Sequence, residues 1–169
     1  DLYSERLSPR ARSMSARTAV RDGYEAAHLV YLCVEIIARA VASVPFVVDQ
    51  RRRDGSYTRT TAAAGRRLED LLADPNPQGP RSQWIHRLMQ QLLLTGNTLT
   101  EMTSFVTRAG VAELWLFGPD GVKPKVGPDQ MVEFFEYRRA GKPPRQIPAE
   151  DVIHLQLPHP TNPYWGMSP

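Results

Sequence analysis

Read from the amino end, the first sustained hydrophobic period falls within residues 25–44. Leu29, Val30, Cys33, Ile36, Ile37, Ala40, Val41 and Val44 recur at three- and four-residue intervals, the spacing of a helix with one buried face. His28, Glu35 and Arg39 fall together on the other side. Pro45 stops the helix, because it has no N–H and its ring crowds the preceding turn. Phe46, Val47 and Val48 then make a short β-rich run that Asp49 closes. Asp54-Gly55 is a turn signal between residues 47–52 and 56–60, and predicts a β-hairpin with Arg51, Arg52 and Arg53 near its tip. Residues 61–67 are small and irregular, and Leu68, Leu71 and Leu72 predict one short helical turn. Pro75-Asn76-Pro77 then forces an extended or turned path.

Ser82 reads as the N-cap of a second long helix. Its apolar face is Ile85, Leu88, Met89, Leu92 and Leu93, with Trp84 at the edge and His86, Arg87, Gln90 and Gln91 turned outward. Gly96 sits where a left-handed C-cap residue belongs, and Asn97 tolerates that region too. From Thr98 the period changes to two, which predicts strands over residues 98–106, 111–117, 122–126, 131–137 and 153–157. Gly110, Gly118-Pro119-Asp120-Gly121 and Gly127-Pro128-Asp129 mark turns between them, and residues 142–146 read as a loop. The fold class expected is α+β, with N-terminal helices packed on a mostly antiparallel, meandering sheet. The chain divides into a flexible arm over residues 1–22, the α+β unit over 23–157, and a Pro-rich extended segment over 158–169.

Composition narrows the classes. With 169 residues, 41% hydrophobic and 23% charged, the chain can bury one core and is not globally disordered. Its one cysteine, Cys33, rules out an internal disulfide framework and a Cys-based zinc site, and suits a reducing compartment. No apolar run reaches the ~18 residues of a membrane span, and no signal sequence opens the chain. The chain begins at Asp1 and stops at Pro169, so a fragment or trimmed chain is expected. The net charge of +3 is too small to imply a nucleic-acid partner. Arginine is nonetheless concentrated: Arg6, Arg10, Arg12, Arg17 and Arg21 crowd the arm, and Arg51–Arg53 are consecutive. Such runs are either solvated arms and tips or contacts to phosphate and acidic partners.

Catalytic and cofactor motifs are missing from the pattern. The glycines are isolated turn residues, not a phosphate loop. His28, His86, His154 and His159 lack metal-ligand spacing, and His154 reads as a structural histidine within a strand. Glu150 and Asp151 are adjacent near a strand, so they point apart and make a poor acid/base pair. Neither an enzyme nor a cofactor is expected. Trp115, Phe117, Phe134, Phe135 and Tyr137 could stack nucleic-acid bases, although aromatics in amphipathic strands usually build the core.

Several short motifs carry a resemblance. They are Ala38, Ala42 and Pro45 in the first helix; Leu71-Leu72 followed by Pro75-Asn76-Pro77; and the second helix ending in Gly96-Asn97. Gly110, Leu114, Leu116 and Pro119 follow, then Ile147-Pro148-Ala149-Glu150-Asp151-Val152-Ile153-His154 and Gly166-Met167-Ser168-Pro169. In this order, over residues 30–169, the chain resembles the portal proteins of tailed bacteriophages and of phage-like gene transfer agents. Two departures are Leu99, where the family often has an aromatic, and the proline-rich run 159–165.

The resemblance implies the N-terminal, wing-side part of a subunit in a homo-oligomeric ring, typically a dodecamer, at one capsid vertex. Double-stranded DNA would pass through the ring. The terminase large subunit, head–tail adaptors and the major capsid protein would be its partners, with ATP hydrolysis left to the terminase. The location implied is the virion, and the host cytoplasm during assembly, with no membrane. Arg51, Arg52 and Arg53 are the candidate DNA or subunit contacts. The competing expectation is a free-standing nucleic-acid-binding module using these arginines and the strand aromatics. A small hydrolase is disfavoured, because no nucleophile–base pair is visible.

Overall fold

The helix that opens the described part of the chain, α1 (His28–Ser43), buries the side opposite to the expected one. Its buried residues are Val34, Glu35, Ala38 and Ala42. Leu29 is 73% exposed and Ile36 67%, and Val30, Leu32, Cys33, Ile37 and Val44 are exposed beside them. The two alanines explain the choice: small residues at a helix contact let the axes approach closely. The structure is a computed structural model that describes residues 24, 27–104, 110–118, 120–139 and 141–168. The arm over residues 1–22, most of the turn before Gly110, and Pro119 and Pro169 lie outside the described residues.

Val44 is the C-cap of α1 and Pro45 follows it, as expected. Strands β1 (Asp49–Arg51) and β2 (Tyr57–Arg59) pair with each other, as the predicted hairpin. Of residues 61–67, expected to be irregular, only 61 and 62 lie outside regular structure. The others enter α2 (Ala63–Ala73), an eleven-residue helix that starts on two alanines, the strongest helix formers. Gly65 looks like a helix breaker in the sequence but serves a close approach. A Cβ there would lie 2.3 Å from Thr60 Cγ2. Gly65→Ala is therefore expected to destabilise the fold by about 1–3 kcal/mol through overpacking, against a propensity gain of ~1 kcal/mol. Adding Thr60→Ala removes the two nearest atoms and recovers part of the loss. Thermal melts of the single and double variants check this, and a Gly65→Ala protein more stable than the parent would refute it.

Helix α3 (Arg81–Thr95) starts one turn-position earlier than expected, with Pro80 as N-cap and Ser82 inside the first turn. It buries Trp84, Ile85, Leu88 and Leu94, while His86 and Gln90 turn towards α1 instead of outward. Gly96 ends it in the left-handed region at φ 73, as its sequence position implies.

The remaining strands are β3 (Asn97–Thr103), β4 (Glu113–Phe117), β5 (Val122–Val126), β6 (Val132–Tyr137), β7 (Arg145–Pro148) and β8 (Val152–Gln156). They form two antiparallel three-stranded sheets, ordered β4-β3-β8 and β5-β6-β7. β7 takes in the last two residues of the loop expected over residues 142–146. Pro143 and Pro144 before it and Pro148 at its end hid it, and Pro148 is tolerated because β7 is an edge strand. One core joins the helices to the first sheet through Trp84, Ile85, Leu88, Ala42 and Leu114. The other lies between the two sheets, built from Leu99, Phe117, Val122, Phe135, Ile147 and Val152. The molecule is thus α+β in three layers, helices, sheet and sheet. Residues 158–168 carry no regular element, but they are turned rather than extended. His159 Nδ1 accepts from the amides of Thr161 and Asn162 at 3.1 and 2.9 Å, and Gln156 Nε2 donates to Pro163 O at 2.8 Å.

Candidate functional site

Three of the short sequence motifs, separated by up to 69 residues, meet at one side chain. Asn97 is 0% exposed at the start of β3, where the left-handed turn at Gly96 delivers it. Its Nδ2 donates to Thr95 O and to Gly166 O, both at 2.9 Å. Its Oδ1 accepts the Gly166 amide at 2.7 Å. That acceptor role fixes the amide orientation, so His154 Nε2, 3.1 Å from the same oxygen, must carry the proton and donate. Burial lowers the pKa of His154, which favours this neutral ring. Phe135 meets its ring edge-on and Trp165 lies beside it, with centroids at 5.6 and 5.3 Å.

Both glycines of this knot are required by space. A Cβ on Gly96 would lie 2.3 Å from the Met167 carbonyl carbon, and one on Gly166 would lie 2.1 Å from Gly96 O. Ser168 Oγ donates to Leu94 O at 2.9 Å. Gly96, Asn97, His154, Gly166 and Ser168 therefore form one latch that straps residues 158–168 to the end of α3 and the start of β3. Pro75-Asn76-Pro77 makes a second tie. Leu114 N donates to Pro75 O at 2.7 Å, and Asn76 Nδ2 donates to Leu114 O at 2.6 Å, joining the helix pair to β4.

Arg51, Arg52 and Arg53 are exposed at the hairpin tip, where Gly55 turns at φ 87 and Asp54 accepts from Ser56 N and Oγ. The hairpin base is tied to α2 through Glu69, which accepts from Val48 N at 3.2 Å and pairs with Arg59 at 3.0 Å. The strand aromatics do not join the arginines. Phe117 and Phe135 are buried between the sheets, and Phe117 packs on Tyr137 with centroids 5.3 Å apart. Trp115 and Phe134 are half-buried, and the Trp115 indole donates to Glu113 at 2.7 Å. No base-stacking platform beside Arg51–Arg53 is formed by these five side chains.

Glu35, expected outward, is the feature the sequence hid. Its carboxylate lies between α1 and α3. Oε1 accepts from Tyr24 Oη and Gln90 Nε2, both at 2.7 Å, while Oε2 meets Arg39 Nε at 3.1 Å and His86 Nε2 at 3.2 Å. The Tyr24 hydrogen bond, with help from Gln90 and His86, outweighs desolvation and holds the Glu35 carboxyl down at about 2. Burial, and the same hydrogen bond, push the Tyr24 hydroxyl up to about 12. No local sequence signal links positions 35, 86 and 90; only the packing does. Among the described residues no group of three or more His, Cys, Asp or Glu could hold a metal ion. No described helix is long and apolar enough to cross a membrane.

Comparison with known proteins fits this architecture. A protein of Rickettsia bellii (strain RML369-C), known only as an uncharacterized protein, is 26% identical over 151 residues, 87% of this chain and 37% of its own length. A chain in the neck of an empty gene transfer agent particle, computed with C6 symmetry, superposes with a TM-score of 0.75 at 25% identity, over 90% of this chain and 40% of its own. A chain in the neck of the native particle, computed with C12 symmetry, gives 0.75 at 23% identity, over 95% and 39%. The present chain therefore spans about two fifths of the length of these relatives. The family model for phage portal proteins matches residues 28–169, from the first residue of α1 through the latch, and the chain belongs to that family.

Proposed function

We propose that the chain is the wing-side part of a portal subunit, one of a ring of identical copies at a single vertex of a phage-like particle. Double-stranded DNA passes through that ring during packaging and ejection. The observation that carries this is the family match over residues 28–169, whose motif residues converge on the Asn97 latch. The ring number of twelve is taken from the C12 neck. The terminase large subunit, head–tail adaptors and the major capsid protein are its proposed partners, in the assembling cell and then in the particle. The subunit is a non-catalytic conduit, and ATP hydrolysis falls to the terminase. Native mass spectrometry and negative-stain class averages of the full-length protein test this: closed rings with a central hole are expected, and a clean monomer would count against it.

The hairpin tip has a role in this reading. Three exposed arginines suit contact with a neighbouring subunit, capsid protein or packaged DNA. Replacing Arg51, Arg52 and Arg53 with Ser is expected to leave the melt unchanged, since exposed substitutions alter stability by no more than ~0.5 kcal/mol. The yield of DNA-filled particles should fall. An unchanged yield would remove the hairpin from assembly and packaging.

A further inference from the structure

Helix α1 is inside out. It turns a carboxylate inward, where α3 satisfies it, and presents Leu29, Cys33, Ile36, Ile37, Ala40 and Val44 to solvent along its length. Beyond Pro45, Val47 is exposed as well, while Phe46, 40% exposed, lies under the Arg81 guanidinium of α3. A helix apolar on the side away from its own core is covered by something in the working protein. A contiguous exposed apolar face of this kind, unlike singly scattered apolar residues, marks an interaction surface.

A second uncovered surface lies on β8. Ile153 and Leu155 stand opposite Thr100 and Thr98 and so share their face, the one on which α3 packs. Thr98 and Thr100 are buried there, but Ile153 is 38% exposed and Leu155 43%. Among the described residues the helix layer leaves Ile153 and Leu155 of β8 partly uncovered, although a sheet face of this kind needs a second layer. α1 cannot turn its outer face to its own β8, because Val34, Glu35, Ala38 and Ala42 already hold the other face inward.

We propose that α1 of one copy lies over Ile153 and Leu155 of the next, continuing the helix layer from subunit to subunit. The charges agree with this pairing. Arg39 borders the outer face of α1 with its side chain 73% exposed, its Nε held by Glu35. Glu150 and Asp151 are exposed immediately before β8. Two different patches on each copy make a head-to-tail contact, the kind that closes into a ring. The proposal rests on the portal reading, and the experiment separates the two.

The test uses the full-length protein with Leu155→Cys and the native Cys33, joined by a short bis-maleimide. A ladder of covalent multimers is expected, absent when Cys33→Ser is added. Rings without a ladder overturn the α1–β8 contact and leave the portal reading standing; absence of rings in the unaltered protein retires both. Ile36→Glu gives an independent readout. It is expected to reduce ring assembly about tenfold or more, as for a central interface residue, without moving the melt of the dissociated subunit. Intact rings, or a melt lowered by several degrees, would overturn the proposal, the latter by showing that the face is buried within its own subunit.

Discussion

Asn97→Ala is expected to cost about 3–5 kcal/mol and to release residues 158–168 from the body of the protein. The magnitude follows from what the change strands. The Gly166 amide and the His154 ring N–H lose their acceptor, and the carbonyls of Thr95 and Gly166 lose their donor. Each buried group left unpaired costs ~1–3 kcal/mol, with less than full additivity within one network. Asn97→Asp keeps the size and the acceptor but sets a negative charge against two carbonyl oxygens, so it gives no rescue. Urea denaturation measures the loss, and limited proteolysis within residues 157–165 reports the release. An alanine variant within ~1 kcal/mol of the parent would show that the latch is a passive contact.

Glu35→Gln is the second large effect, at about 2–3 kcal/mol near neutral pH. Removing one member of a buried ionic network leaves the others without their partner. Arg39 and, in part, His86 can recover water, since they are the more exposed members; Tyr24 and Gln90 bear most of the loss. The pH dependence separates this from simple repacking. The folded Glu35 pKa, about 2, lies below its ordinary 4.5. The unfolded chain therefore takes up the proton first as pH falls. The stabilisation, of the order of 3 kcal/mol, is complete above pH 4.5 and is lost between there and about 2. The gap between parent and Glu35→Gln should be full at pH 7 and narrow at pH 3. A gap independent of pH would mean that the charge contributes nothing. The His154 loss starts earlier in the descent, because its pKa is depressed from 6.5 and folding resists its protonation.

The period-two strands β3, β4, β5, β6 and β8 and the cap at Gly96 were legible because each is a local pattern with a local cause. Leu114 and Leu116 do face away from Trp115 and Phe117, as alternation requires. α1 was legible as a helix but not in its orientation. Periodicity tells which residues share a face; it does not tell which face turns inward when both can bind something. The alanines at 38 and 42 carried the answer, through close packing, against larger side chains that carried the hydrophobic signal. α2 was shortened because Gly65 reads as a breaker until Thr60 is seen beside it. β7 was hidden by Pro143 and Pro144 before it and by Pro148 at its end, which an edge strand tolerates. The motifs at Gly96-Asn97, His154 and Gly166 could each be read, but not that they are one hydrogen-bonded cluster, since nothing local relates positions 69 residues apart.

The groups around Glu35 come from Tyr24 ahead of α1, from Arg39 on α1, and from His86 and Gln90 on successive turns of α3. A wholly apolar seam between α1 and α3 would tolerate slippage. This one is keyed: a slide of one turn, about 5.4 Å, carries the carboxylate away from His86 and Gln90 together, while Arg39 travels with it on α1. Displacement of α1 along α3 is therefore opposed at Glu35, and the same α3 ends at Gly96 and Asn97, which hold the strap of residues 158–168.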